Sequence, residues 1–317
     1  MIFNGVESIM INIKSVQTYW LVIGVSVLLM IGGCSEQVDT ETPKFSVSNG
    51  ADKIVYRFGI HPLHNPTRLH EIFSPVMEYL SSNIEGVDFK VEASRNYAAY
   101  DKKLFGGEFD FSLPNPYQTV RSLEHGYRVF GKMGDDENFR GIILVRKDSG
   151  ITSIADLKGK AISYPAPTAL AATMMPQYYL NTHGLKVMKD VDNRYVGSQE
   201  SSIMNVFLGD TAAGATWPPP WRALSKERPQ LAEQLEIKWE TKSLPNNGLV
   251  VRKNIPDKLV RQVAKLLFEL HSHEEGRVIL ERMELSRFEA ASDTTYDPVR
   301  TFLATFRKEV RDPAKKK

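Results

Sequence analysis

Gly141-Ile-Ile-Leu-Val-Arg-Lys147 and, roughly a hundred residues on, Gly248-Leu-Val-Val-Arg-Lys253 are near copies of one pattern. Each has a glycine, an aliphatic run too continuous for a half-exposed strand, and a basic end. A compact lobe is about that long. The pair therefore reads as two strands bracketing an inserted lobe, 141–247, with 50–140 and 248–317 forming the lobe it interrupts. On that reading the two strands lie side by side as a hinge. From the residues alone, two unrelated strands with similar ends remain the alternative.

Working outward, strand-like and helix-like stretches alternate from Lys53 onward. Strands are expected at 54–60, 88–93, 109–113, 141–146, 161–164, 194–197, 212–216 and 248–252. Helices fall between most of them, including 97–105 and 256–270. Leu69, Ile72, Phe73, Val76, Met77 and Leu80 recur at spacings of three and four after Asn65-Pro66, a cap followed by a first-turn proline. Pro75 lies within that stripe and predicts a kink. Such alternation argues for an α/β architecture with helix-covered parallel sheets.

The N-terminal region has a separate logic. Lys14 precedes an apolar run, 20–31, which ends in Ile31-Gly32-Gly33-Cys34. That order marks a secretory signal peptide, residues 1–33, too short for a confident membrane span. It resembles a bacterial lipobox, in which Cys34 is lipidated and becomes the first mature residue, with 34–49 as a tether. An ordinary signal peptide or anchor helix with a chance cysteine is the alternative, and Met1 and Met10 both serve as starts. The expected location is the cell envelope, lipid-anchored and facing the periplasm or the cell exterior. Cys34 is the only cysteine, so no intramolecular disulfide is expected and stability must come from burial. The 42% hydrophobic and 25% charged composition is ordinary, and a net charge of +2 gives no electrostatic case for nucleic acid. Residues 315–317, three lysines, read as a solvated tail.

Six segments carry a family resemblance. Ile151-Thr-Ser-Ile-Ala-Asp-Leu-Lys-Gly-Lys160 looks like the turn that opens the second lobe of type II periplasmic binding proteins. Tyr56-Arg-Phe-Gly-Ile60, Asn96-Tyr-Ala-Ala99, Gly107-Glu-Phe-Asp110, Gly209-Asp-Thr-Ala-Ala-Gly-Ala215 and Tyr296-Asp-Pro-Val-Arg300 follow in matching order. Together, over 53–306, they resemble the phosphate, phosphite and phosphonate-binding family of ABC-importer lipoproteins. The resemblance implies a transferrin-like fold: two α/β lobes, each a mixed sheet flanked by helices, joined by two crossover strands. It also implies a monomer, without cofactor, that closes on a small oxyanion-bearing ligand and delivers it to membrane permease subunits. A ligand-sensing module serving a histidine kinase is the runner-up. An enzyme has little support, since nucleophile elbow, P-loop and dinucleotide turn are all missing.

In open α/β sheets ligands sit beyond the carboxyl ends of strands, where helix N-termini offer free N–H groups. His61 and His64, beside Pro62 and Pro66, lack a recognisable metal-ligand set and read as loop packing, so no metal is expected. Tyr97 matches a ligand-facing tyrosine of the relatives, with a core role as the alternative. Asn115 and Tyr117 are the polar candidates between two prolines. In 166–169 the relatives are rich in hydroxyls, whereas here Thr168 alone keeps one, leaving the amides of Ala169 and Leu170. Gln199 stands where relatives carry a histidine and Ala212 where they carry an acid, which Glu200 could replace. Thr216-Trp-Pro-Pro-Pro-Trp221 reads as a rigid aromatic wall or lid, Trp217 the better contact, or as a polyproline loop with both indoles packed down.

Overall fold

The structure, a computed structural model, describes residues 53–315; the expected signal peptide, Cys34 and the whole tether lie outside the described residues. Eleven strands are described: β1 (Ile54–Ile60), β2 (Val87–Glu92), β3 (Phe111–Leu113), β4 (Tyr127–Met133), β5 (Ile142–Arg146), β6 (Ala161–Tyr164), β7 (Asp192–Tyr195), β8 (Ala213–Thr216), β9 (Leu235–Glu240), β10 (Gly248–Arg252) and β11 (Phe288–Glu289). They form two mixed sheets, ordered β11-β4-β10-β3-β1-β2 and β7-β6-β8-β5-β9. Helices separate most of the strands and flank both sheets. In each sheet three parallel strands sit beside an antiparallel set: β2, β1 and β3 in the first, β7, β6 and β8 in the second.

The two look-alike segments are not side by side. β5 pairs antiparallel with β8 and β9, and β10 pairs antiparallel with β3 and β4. Each is the strand next to the last parallel strand of its own sheet. Their likeness therefore comes from equivalent positions in the two lobes. Both need an unbroken apolar run because both are covered on two faces: Ile142 to Val145 and Leu249 to Val251 are buried. Both need their glycine because another backbone or side chain presses on it. A Cβ on Gly141 would meet the Ala171 carbonyl oxygen at 2.4 Å, and one on Gly248 would meet the Thr119 side chain at 2.7 Å.

The hinge is made by the segments that precede these strands. Thr241 N–H donates to the Gly141 carbonyl and Gly141 N–H to Thr241 Oγ1, both at 2.9 Å. Leu244 N–H donates to the Phe139 carbonyl at 3.1 Å. Lys132, almost fully buried, anchors the lower end: its ammonium pairs with Asp136 at 2.8 Å and with Glu289, and Asp136 also accepts from Asn246 N–H at 2.9 Å.

The helix Pro66–Asn83 buries the six residues expected of it, with Asn65 accepting from Arg68 N–H at its cap. It runs unbroken through Pro75. A proline removes one ladder bond at a cost of about 3 kcal/mol, while each fully buried aliphatic or aromatic side chain on this face contributes about 1.5–3 kcal/mol, so burial wins. β4, β9 and β11 go beyond the strands expected from sequence, and all three lie on the antiparallel side of their sheets, β9 and β11 at its edges.

Candidate functional site

Each of the six parallel strands runs out into a turn that starts a helix, and side chains cap several of these starts. Asn96 Oδ1 accepts from Ala99 N–H, Asn115 Oδ1 from Gln118 N–H, and Ser198 Oγ from Ser201 N–H. Asn115 and Gln118 form a reciprocal capping box. These turns meet across the gap between the lobes.

Two chains of hydrogen bonds bridge that gap. In the first, Thr216 Oγ1 donates to Gln199 Oε1 at 2.8 Å, and Gln199 Nε2 donates to the Tyr97 hydroxyl at 3.3 Å. In the second, Asn115 Nδ2 donates to the Thr168 carbonyl at 3.1 Å while Thr168 Oγ1 donates to Asp101 at 3.3 Å. The other Asp101 oxygen accepts from Gln118 Nε2 at 2.6 Å. The Tyr97 ring packs on Ala166, Ala169 and Ala172. Tyr117 is buried on the helix Pro116–Ser122 and joins neither chain. Five of the eight candidates expected to touch ligand, Tyr97, Asn115, Thr168, Gln199 and Thr216, are thus linked directly across the cleft or one bond from it.

The turn after β6 has its own geometry. Ala169 N–H, expected to be free, donates to the Ala166 carbonyl at 3.1 Å because the turn closes on itself. The next ladder bond runs from Met174 N–H to the Ala169 carbonyl at 3.2 Å, as the helix opens with a wide π turn over Leu170–Met174. The amides of Leu170, Ala171 and Ala172 donate to no protein acceptor among the described residues, although all three residues are buried. Unpartnered buried N–H groups at a helix start form an anion cradle. The Ser94, Tyr164 and Thr173 hydroxyls are also buried without a protein partner.

Burial sets the charge states. It pushes the Asp101 carboxyl up to about 6, against the opposing hydrogen bonds from Gln118 and Thr168 and the charge of Arg121. His61, whose Nδ1–H donates to the Leu113 carbonyl, is brought down to about 4 by burial. His64 falls to about 3, by burial first and then by Arg68 and His61. Both rings are neutral at pH 7, and no group of three or more metal-ligating side chains gathers among the described residues. A cavity of about 210 Å³ lies beside this site, between the turn carrying His64 and Arg68 and the helix starts carrying Gln199 and Pro220. It meets the first hydrogen-bond chain only at Gln199. Arg68 pairs with Glu227 across its mouth, and Arg228 with Glu200 at 3.4 Å.

Trp217 and Trp221 form no common wall. Pro218, Pro219 and Pro220 begin the helix Pro218–Glu227, where missing N–H groups cost nothing, in place of a polyproline loop. That turns the indoles apart. Trp217 packs on Phe139 of the hinge at 5.7 Å, and Trp221 joins the core of the second lobe. Among residues that sequence reasoning missed, Asp101 had a signal: it lies four residues after Tyr97, on the same helix face. Gln118 had one too, as the partner in a capping box with Asn115. Arg68 and Arg311 had none, since their partners are distant in sequence.

Two lobes hinged by paired crossover segments, with strand ends and helix starts facing each other, define a bilobal solute-binding protein. Residues 58–296, well over half of the chain, match the family described as ABC transporter, phosphonate, periplasmic substrate-binding protein, and the chain belongs to that family. It is 22% identical over 264 residues, 76% of this chain and 86% of the relative, to a probable ABC transporter phosphite-binding protein of Prochlorococcus marinus. It is 22% identical over 261 residues, 79% of this chain and 76% of the relative, to the phosphonates-binding periplasmic protein of Escherichia coli. A Prochlorococcus marinus protein solved with methylphosphonate superposes with a TM-score of 0.74 at 20% identity, covering 80% of this chain and 98% of that one. A binding component of a Pseudomonas aeruginosa ABC phosphonate transporter gives 0.74 at 19%, covering 81% and 88%. These relatives are substrate-binding components of transporters, and their fold is the one expected from sequence. Among the described residues no helix is long and apolar enough to cross a membrane.

Proposed function

We propose that this chain captures a phosphonate, phosphite or related organic oxyanion in the interlobe cleft for an ABC importer, with no catalytic step. The carrying observation is the cradle of Leu170, Ala171 and Ala172 amides, lidded by Tyr97 and flanked by the bridge from Gln199 to Thr216. Thr168, Asn115 and Ala169 shape the cradle's turn, Tyr117 backs it, and Trp217 reports closure from the hinge side. The lobes are 50–140 with 248–317, and 141–247. Lipidation at Cys34 tethers the monomer to the envelope, within reach of its permease; radiolabelled palmitate incorporated by the wild type and lost in Cys34→Ala is the check. Calorimetry with methylphosphonate, phosphite, phosphate and an alkanesulfonate tests the ligand class. Micromolar or tighter binding of one of the four supports it, and binding of none overturns it.

A further inference from the structure

Arg311 follows the helix Asp297–Glu309, which starts against the helix Pro116–Ser122 of the first lobe and ends against the helix Met175–Thr182 of the second, where its guanidinium lies. Nη2 donates to the Pro167 carbonyl at 2.7 Å, and Nε to Gln177 Oε1 at 3.0 Å. The cation stands over the Tyr195 ring at 5.9 Å and the Phe306 ring at 5.3 Å. Pro167 immediately precedes Thr168, so this charge is fixed to the outside of the anion cradle's own turn.

The cation has no acid to balance it. No carboxylate among the described residues lies within ion-pair distance of Arg311, and the neighbouring Asp312 pairs with Arg307 at 3.6 Å. All its partners are neutral: a carbonyl, an amide and two aromatic faces. The hydroxyl of Tyr164, the last residue of β6, is fully buried beside this cluster and bonds to nothing in the protein. A part-buried cation facing only neutral groups is costly to hold, and an anion nearby recovers that cost. The turn it grips, Ala166 to Ala169, offers a single side-chain hydroxyl, Thr168, which is turned to Asp101, so positive charge supplements the few hydrogen-bond donors there.

We propose that Arg311 is an anion-specificity residue, supplying from one lobe the charge that holds an oxyanion on the other, through the turn Ala166 to Ala169. The inference rests on the proposed function. Because the guanidinium belongs to the first lobe and its grip to the second, its contribution is complete only when the lobes are closed. The attraction then favours closure with an anion bound.

The test is calorimetry on the full mature chain with methylphosphonate and phosphite, for wild type, Arg311→Lys and Arg311→Gln, each checked for folding by circular dichroism. Loss of one charge-assisted interaction corresponds to about tenfold to hundredfold in affinity. Arg311→Gln should weaken both anions by that factor, and Arg311→Lys should recover most of the loss. The wild type should also lose affinity between 0.05 and 0.5 M salt, and Arg311→Gln less so, since only the wild type places this charge near the ligand. If Arg311→Gln binds as tightly as wild type, or if lysine weakens binding as much as glutamine does, the inference is overturned while the proposed function stands. If wild type binds neither, the same comparison is made with whichever of phosphate or an alkanesulfonate it does bind; if it binds none of the four, both fall.

Discussion

Replacing Asp101 by Asn should make the protein more stable at neutral pH and no different in mild acid. Asp101 accepts from Gln118 Nε2 and Thr168 Oγ1, and an asparagine of the same shape keeps both contacts, its Oδ1 accepting from Gln118 Nε2 and its Nδ2 donating to Thr168 Oγ1. What the substitution removes is the buried charge. The folded carboxyl titrates near 6 and the unfolded one at 3.8, a shift of about two units upward by burial. A raised carboxyl contributes stability that is complete below the unfolded value and lost as pH rises through the folded one. At about 1.36 kcal/mol per unit, the wild type gives up at most about 3 kcal/mol between pH 4 and pH 7. Part of that is returned by water, since the carboxyl is not wholly enclosed. Urea midpoints of ligand-free wild type and Asp101→Asn at pH 4, 5, 6, 7 and 8 measure the difference, with the slopes compared to confirm that both unfold alike. The two should coincide at pH 4 and separate from pH 5 upward, the variant being the more stable. Parallel curves across the range, or a variant that is weaker at pH 8, would refute the account of Asp101 as a carboxyl held against its preferred charge.

Other outcomes follow from the same geometry. Gly141→Ala should cost about 1–3 kcal/mol, because its Cβ meets a backbone oxygen that cannot swing aside; thermal denaturation reads it. Trp217→Ala should cost about 3–5 kcal/mol, the loss of a buried indole against Phe139, and calorimetric melting checks it. Thr168→Val should weaken methylphosphonate binding about tenfold, as it strips one of the two donors from Asp101 and leaves that carboxyl oxygen without a partner beside the cradle. His61 and His64 should stay neutral at pH 5.5 by imidazole nitrogen NMR; their depressed values mean stability is whole above about pH 6.5 and declines as pH falls toward 4.

The fold was legible because its signals are local and physical. Asn65-Pro66 and the stripe from Leu69 to Leu80 announce a helix start and its buried face. The continuous apolar runs after Gly141 and Gly248 announce strands covered on both sides. Their mutual arrangement was not legible. Equivalent positions in two lobes and adjacent positions in one hinge demand the same residues, so sequence could not distinguish them. β9 offers a clean alternation, Leu235, Ile237 and Trp239 against three polar neighbours, and is absent from the strands expected above. The site was half legible. Tyr97, Thr168 and Gln199 lie at helix starts, which sequence marks, whereas Asp101, Arg68 and Arg311 act through contacts that only the closed chain creates.

The prolines at the helix starts give the cleft a direction. Of the six helices that begin beyond the parallel strands, those at Pro66, Pro116 and Pro218 open with imino acids, and the last with three in succession. Such starts keep a dipole and surrender hydrogens. The start at Leu170 keeps every hydrogen it has. On the proposed function, a guest with one charged head and one plain tail is expected to enter one way round. Its head would lie toward the alanine turn, and its tail toward the cavity walled by Pro220. On this view the protein discriminates among guests chiefly by what hangs from the head, and variation at His64, Arg68 and Pro220 would retune cargo without disturbing capture.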